Sequence, residues 1–326
     1  MGMIAGNNAT LQVGAQSDFS TAVAPTVQVE FVSESLDEKH NLITPDQITG
    51  KRSVDRLDEA GIKVEGGVEL VANPANIGIL LAAAFGAEAD PAAVDSSAVY
   101  DHVFTPMSAA AASSLPKLTM VVDRIQAVKG YVGCKINRMS LSAGVQDYLK
   151  AGFDFIGRNE ATDALESLSS GEKRPFMFTD GNLQFNDTDY DEVVSLSVDF
   201  VNNLENDLYV LNGSNYMVEI EPQRREITAE VEALYSSDIE TLRESYYKGG
   251  TKCSLEVTFT STEEVLTGKY YTLTVNMPNC YITGNPVNVS GPDRIRTRIS
   301  LTATEQNGES PITVTLRDGQ ATKHIA

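Results

Sequence analysis

Apolar and polar residues alternate with a period of two along most of this chain. Ile62-Lys-Val-Glu65, Val68-Glu-Leu-Val71, Leu118-Thr-Met-Val-Val122 and Phe153-Asp-Phe-Ile156 predict strands in the first half. Val194 to Phe200, Leu255 to Phe259, Tyr271 to Val275, Ile295 to Ala303 and Ile312 to Leu316 predict them in the second. Val, Thr, Ile, Tyr and Phe recur at these positions, as suits a pleated, half-buried surface. Gly, Asn and Pro punctuate the gaps, as in Met277-Pro-Asn279 and Gly284-Asn-Pro286. Two stretches switch to a helical period. In the first, Ile77, Leu80, Leu81 and Ala84 share one stripe, with Asn73 as the expected N-cap, Pro74 as first helical residue and Gly86 as C-cap. In the second, Ser236 or Ser237 caps a helix that buries Ile239, Leu242 and Tyr246 and ends before Gly249-Gly250. The pattern predicts a mainly β chain of two tandem sandwich- or barrel-like modules, each with one packed α-helix.

The two halves read as copies. Met139-Ser-Leu-Ser-Ala143 returns as Ile299-Ser-Leu-Thr-Ala303, and Phe153-Asp-Phe-Ile156 as Thr313-Val-Thr-Leu316, both at an offset of 160. Leu118 to Val122 matches Leu273-Thr-Val275, Gly67 to Leu70 matches Glu230 to Leu234, and Val29 to Val32 matches Val198 to Val201. The helical stretches pair as well. This places one module at residues 1–158, a joining segment at 159–189 and a second module at 190–326. Within the joining segment, residues 159–173 are Ser-, Glu- and Gly-rich and carry no strand pattern. Each module also has a long polar excursion before its helix, residues 35–59 and 205–226, of a length that is usually functional or ordered by a partner. Two similar modules in one chain suit quasi-symmetric assembly better than a single catalytic pocket.

Composition narrows the function. The length of 326 residues suits two domains, and 42% hydrophobic with 21% charged residues reads as soluble and globular. A net charge of −20 argues against gripping nucleic acid, which needs clustered Lys and Arg, but suits a surface that nucleic acid slides past. Three cysteines, Cys134, Cys253 and Cys280, make neither a disulfide framework nor a zinc set, and suggest a reducing compartment. Residues 1–16 lack the pattern of a secretory signal, and the longest apolar run is too short to span a bilayer, so no membrane insertion is expected. His40, His102 and His324 stand in unrelated contexts and read as solvated or satisfied histidines, so no metal or other cofactor is expected. Asp187, Asp189 and Asp191 mimic the start of a calcium loop, but the sixth position is Glu192 and the twelfth Val198, where glycine and a bidentate carboxylate are needed. Asn8, Asn186, Asn212 and Asn288 open N-x-S/T triplets that mean little without a signal peptide. No nucleotide or hydrolase motif is present, so no enzyme is expected. Basic residues are few, which draws attention to Lys51, Arg52 and Arg56 in one excursion and Arg224 and Arg225 in the other, as candidate subunit contacts.

The stretch from Ile43 to Gly86, with its Gly50-Lys-Arg52 turn, Val64-Glu-Gly-Gly-Val-Glu-Leu70, Pro74 and Gly78-Ile-Leu-Leu81, resembles the tail tube (major tail) proteins of long-tailed bacteriophages. Leu115 to Asp123 and Tyr131 to Ser142 continue the likeness, which covers most of residues 10–160 and, less closely, 190–316. The resemblance implies sandwich- or barrel-like modules assembled into rings that stack into a hollow tube, the conduit for double-stranded DNA in infection. It implies a virion-tail component made in the host cytoplasm, with no catalytic residues. Its partners are further copies of itself (a ring of three chains with pseudo-six-fold symmetry), tape-measure and terminator or baseplate proteins, and DNA that passes without sticking. Strand alternation points to Glu69, Asp154 and Glu256 as candidate lumen-facing acids. The alternative is a tandem β-sandwich adhesion or binding module on a virion or cell surface, for which Tyr216, Tyr246 and Tyr247 are the aromatics that could form a platform.

Overall fold

Each half of the chain is organised by one strand long enough to serve two layers. The computed structural model describes residues 6–108, 114–289 and 291–325. Met1-Gly2 and Ser290 of the Asn288 triplet lie outside them. The first half runs β1 (Thr10–Gln16), β2 (Val27–Val29), β3 (Ser33–Glu34), β4 (Asp37–Ile43), β5 (Asp58–Val71), α1 (Ile77–Phe85), β6 (Gly86–Glu88), β7 (Ala92–Ala93), β8 (Tyr100–Pro106), β9 (Lys117–Asp123), β10 (Val128–Gly144), β11 (Lys150–Gly157) and β12 (Asn159–Ala161). The second runs β13 (Gly181–Phe185), β14 (Thr188–Asp189), β15 (Val193–Val201), β16 (Glu226–Leu234), α2 (Ser237–Leu242), β17 (Cys253–Leu266), β18 (Lys269–Gly284), β19 (Arg296–Ala303) and β20 (Thr313–Asp318). With 50% strand and 10% helix, the fold is mainly β and sandwich- or barrel-like.

The same arrangement occurs twice. In the first half β12, β10, β9, β1 and β2 lie side by side, and the far end of β10 crosses into a second layer beside β11, β5 and the β3–β4 edge. In the second half β20, β18, β17, β13 and β14 repeat the first layer, and β18, β19, β16 and β15 the other. A shared irregularity fixes the correspondence. The β10–β11 ladder slips between Ile136 and Arg138, and the β18–β19 ladder between Ile282 and Gly284, at a common offset of 146. Leu141 opposite Ala151 is matched at that offset by the bridge from Val287 to Thr297.

This revises the repeat as read from sequence. Met139 to Ala143 lies in β10, whereas Ile299 to Ala303 lies in β19, the counterpart of β11. The matches of β9 to β18 and β11 to β20 are likewise one strand out. Alternating strands look alike locally, so the pattern identifies strands without saying which ones correspond. Residues 159–189 also hold more order than expected: β12, β13 and β14 lie there. The irregular stretch between them is docked, with Gln12 exchanging two hydrogen bonds with the Glu166 backbone (2.8 and 2.9 Å). Phe176 is buried, donates its N–H to Ala72 O and accepts from Leu149 N.

The helices differ from each other. α2 starts as expected, with Ser236 Oγ accepting from Ile239 N at 3.3 Å, and continues as a wider turn through Lys248. α1 starts one turn later than expected: Asn73 caps a separate turn, accepting from Ala75 N, and Asn76 is the residue before the helix. Gly86 closes α1 in the left-handed region at φ 79°, as a glycine readily does. All nine residues of α1 are buried, because both halves cover it. Phe85 stacks on Phe200 of β15, ring centroids 4.5 Å apart, and Asn202 Nδ2 donates to Ala84 O.

Candidate assembly interface

One layer from each half joins into a single antiparallel sheet. β10 and β15 pair from Arg138 opposite Val201 to Gly144 opposite Ser195, giving the order β3–β4 edge, β5, β11, β10, β15, β16, β19, β18. Alternation turns Met139, Leu141, Phe153, Val198, Val231 and Ile299 into the core. The opposite face carries Ser140, Ser142, Ser195, Ser197, Thr228 and Ser300 between charged residues. The bases on this face are neutralised. Arg138 bonds Asp199, Arg296 contacts Glu232 at 3.0 Å, Arg298 contacts Glu230 at 3.5 Å, and Lys63 contacts Glu65 at 2.6 Å. Acids exceed bases only slightly here, so the charge of −20 is not gathered on this face.

Glu69 and Asp154 both stand exposed on this face, on neighbouring strands. Glu256 does not: it is on β17, in the other layer, between Gln184 and Asn276. Residues 35–59 contain a strand, β4, so the first excursion is a hairpin arm whose tip, residues 44–57, is exposed throughout. Lys51, Arg52 and Arg56 are on that tip, with Lys51 bonded to Asp55 and Arg56 to Asp58. Exposed Ile48, Val54 and Leu57 stand beside them, with Leu42 and Ile43 on the arm.

The second excursion does not project. Residues 205–226 fold back on the base of the arm, where Ile62 N donates to Asn215 O and Tyr209 Oη to Ile62 O. Met217 and Ile220 are buried. Arg225, expected as a subunit contact, is turned inward: it donates to Met107 O at 2.9 Å and lies over the Phe200 ring. Arg224 remains exposed. The anchor that sequence reasoning missed is Lys135, fully buried, whose Nζ donates to Ser114 Oγ, Glu219 Oε1 and Ile220 O. A lysine inside the apolar run from Tyr131 to Ile136 was the available signal. Of the aromatics proposed as a binding platform, Arg158 covers the Tyr216 ring at 4.6 Å and Tyr246 packs against the core, while Tyr247 is exposed.

The two edges of the eight-stranded sheet correspond to a junction already made inside the chain. The β3–β4 edge, residues 33–39, is the counterpart of residues 195–201, and residues 284–289 after β18 are the counterpart of 138–143. In the chain, 138–143 pairs with 195–201. Their counterparts lie at opposite ends of the sheet.

The fold also gathers two histidines that sequence placed in unrelated contexts. His102 and His324 stack edge-on, ring centroids 4.4 Å apart, between Glu88 and Asp318. Burial works against charge at all four groups, yet mutual bonding prevails. Hydrogen bonds to Asp318 and Glu88 hold His102 up at about 9, and those from His102 and His324 bring Glu88 down to about 2. Asp318 is lowered and His324 raised by the same contacts. His40, by contrast, is exposed beside Glu38 and Glu59.

Among the described residues no helix is long and apolar enough to cross a membrane. A family model described as "Phage tail tube protein" matches residues 6–304. No curated protein matches the chain.

Proposed function

The chain belongs to the phage tail tube protein family, a structural, non-enzymatic family of the virion tail, and from that premise we propose how it builds a tube. The observation that carries the proposal is the pair of matching open edges. A contact that joins the two halves of one chain has both its components at the ends of the sheet, with no further strand beside them among the described residues. Repeating it between chains pairs residues 284–289 of one copy with 33–39 of the next, in the register that sets Gly284 opposite Lys39 and Asn288 opposite Ser35. Three chains, each supplying two modules related by the repeat, then close a ring of pseudo-six-fold symmetry, and closure removes the exposed edges. The modules are the two repeats, residues 10–161 and 181–318, with the docked stretch between them as the joint.

The neutralised polar face is the lumen in this arrangement, and double-stranded DNA passes along it during ejection. Paired arginines offer phosphate no free cation, so counterion release, the main drive for DNA binding, is withheld. The hairpin arm, with Ile48, Val54 and Leu57 exposed among the charges of its tip, reaches the neighbouring ring and gives the non-closing contact that extends a tube. Tape-measure and terminator or baseplate proteins engage the tube and its ends.

Ring closure is tested with Ser35→Cys and Asn288→Cys in one chain. The native thiols give little background, since burial pushes Cys253 up to about 11, Cys280 up to about 12 and Cys134 higher still. Oxidation is expected to yield covalent trimers, and native mass spectrometry of the unmodified protein rings of three chains. Rings of six whole chains, or no cross-link within assembled rings, would refute this closure.

A further inference from the structure

We propose that Glu88, His102 and His324 bind one divalent transition-metal ion of the class that imidazole favours, zinc foremost, with Asp318 orienting both histidines. One candidate ligand atom from each of the three residues lies within 4.8 Å of the others. Glu88 Oε1 is 2.7 Å from His102 Nδ1 and 3.2 Å from His324 Nδ1. Ligand atoms around a tetrahedral zinc, bonded at about 2.0–2.2 Å, stand roughly 3.4 Å apart, so the set needs little adjustment to receive an ion.

The far sides of the two rings are arranged as metal-bound histidines require. His102 Nε2 is 3.1 Å from Asp318 Oδ1, and His324 Nε2 is 3.4 Å from Asp318 Oδ2. One carboxylate lies beside both Nε2 atoms, a charge that favours protons there and leaves each Nδ1 to face an ion. Gln320 O, 2.9 Å from His102 Nε2, supports the same tautomer. Charge balances too: two neutral imidazoles, two carboxylates and one divalent ion sum to zero in a buried site, where an uncompensated charge is costly.

A further feature makes room for the ring. A Cβ at Gly78, inside α1, would overlap the His324 imidazole. Glycine is disfavoured inside a helix, and here its absent side chain is the seat of His324. The ion would staple the segment after β20 to β6, β8 and α1, tying the second half of the chain to the first.

The competing arrangement is a box held by protons alone, with no affinity for metal. The experiment titrates chelator-stripped protein with Zn2+ by calorimetry and records the absorption spectrum with Co2+. One equivalent binding at micromolar Kd or tighter, with a low-coordination Co2+ spectrum, is expected. Asp318→Asn should weaken binding by about 10- to 100-fold, in line with losing an orienting carboxylate, and His324→Gln by more. Gly78→Ala keeps every ligand and should still weaken binding, by displacing the His324 ring. Absence of binding below about 100 μM in the unmodified protein overturns the site, as does equal affinity in a folded His324→Gln variant; the first result needs no variant to fold.

Discussion

Lys135 shows what a single residue decides in this chain. Its side chain is covered by the second excursion, where burial lowers the ammonium's pKa while Glu219 opposes the shift. The compensation is local: Ser114 Oγ, Glu219 Oε1 and Ile220 O all accept from it, and two of these belong to the second excursion. Lys135 is therefore the peg that holds residues 205–226 against the first half. Lys135→Met removes the donor and strands a buried carbonyl, and we expect a loss of about 2 kcal/mol. The measurement is urea unfolding together with amide exchange. Faster exchange at Met217 and Ile220, with α1 still protected, is the expected signature; unchanged exchange there would show that apolar packing alone seats the excursion. The histidine pair is the opposite case. Nothing in the sequence around His102 or His324 marks them, because their partners come from β6 and from the far side of β20.

At the scale of elements, strands were legible and their correspondence was not. Every stretch with a period of two became a strand, since the face it buries is set by its own side chains. Which strand answers to which depends on pairing between separate strands, and the slips at Ile136/Arg138 and Ile282/Gly284 revealed it. β4 escaped notice because its first five residues are polar on both faces, and it is a strand only because β5 offers it a ladder. The arm it forms buries nothing at its tip. Removing residues 45–56 and joining the arm with a short turn should leave circular dichroism and thermal unfolding close to those of the intact chain. Rings should still form, and stacking into tubes should fail, as judged by negative-stain microscopy. Tubes of normal length from the shortened chain would assign stacking to another surface.

At the scale of the molecule, the halves interlock. β8 of the first half pairs with β20 of the second, and Arg317 meets Asp101 across that ladder at 2.7 Å. A unit so tied presents its eight-stranded sheet as one body, which fixes where the charged residues of the polar face stand. Glu69 and Asp154, exposed acids without an ion pair among the described residues, are the positions to test. Glu69→Lys with Asp154→Lys places unpaired cations on that face in every chain, and the assembled tube should then retain duplex DNA. Retention should fall steeply between roughly 50 and 200 mM salt, as counterion release requires. DNA ejection from particles carrying the double variant is the assay, and ejection unchanged at low salt would mean that this face is not the passage.

The sequence by itself determined the strongly patterned strands and the two helical stretches, because alternation and helical stripes are written in consecutive residues and need no partner to be read. It also marked two halves of similar pattern, and parity alone gave the side of the strand on which Glu69 and Asp154 stand. Tertiary structure decided the rest. It moved Glu256 to the other layer, turned Arg225 inward over Phe200, ordered the stretch before β13, and brought His102 to His324. Each of these depends on contacts between residues far apart in the chain, and a local pattern carries no record of which distant segment will supply the other side.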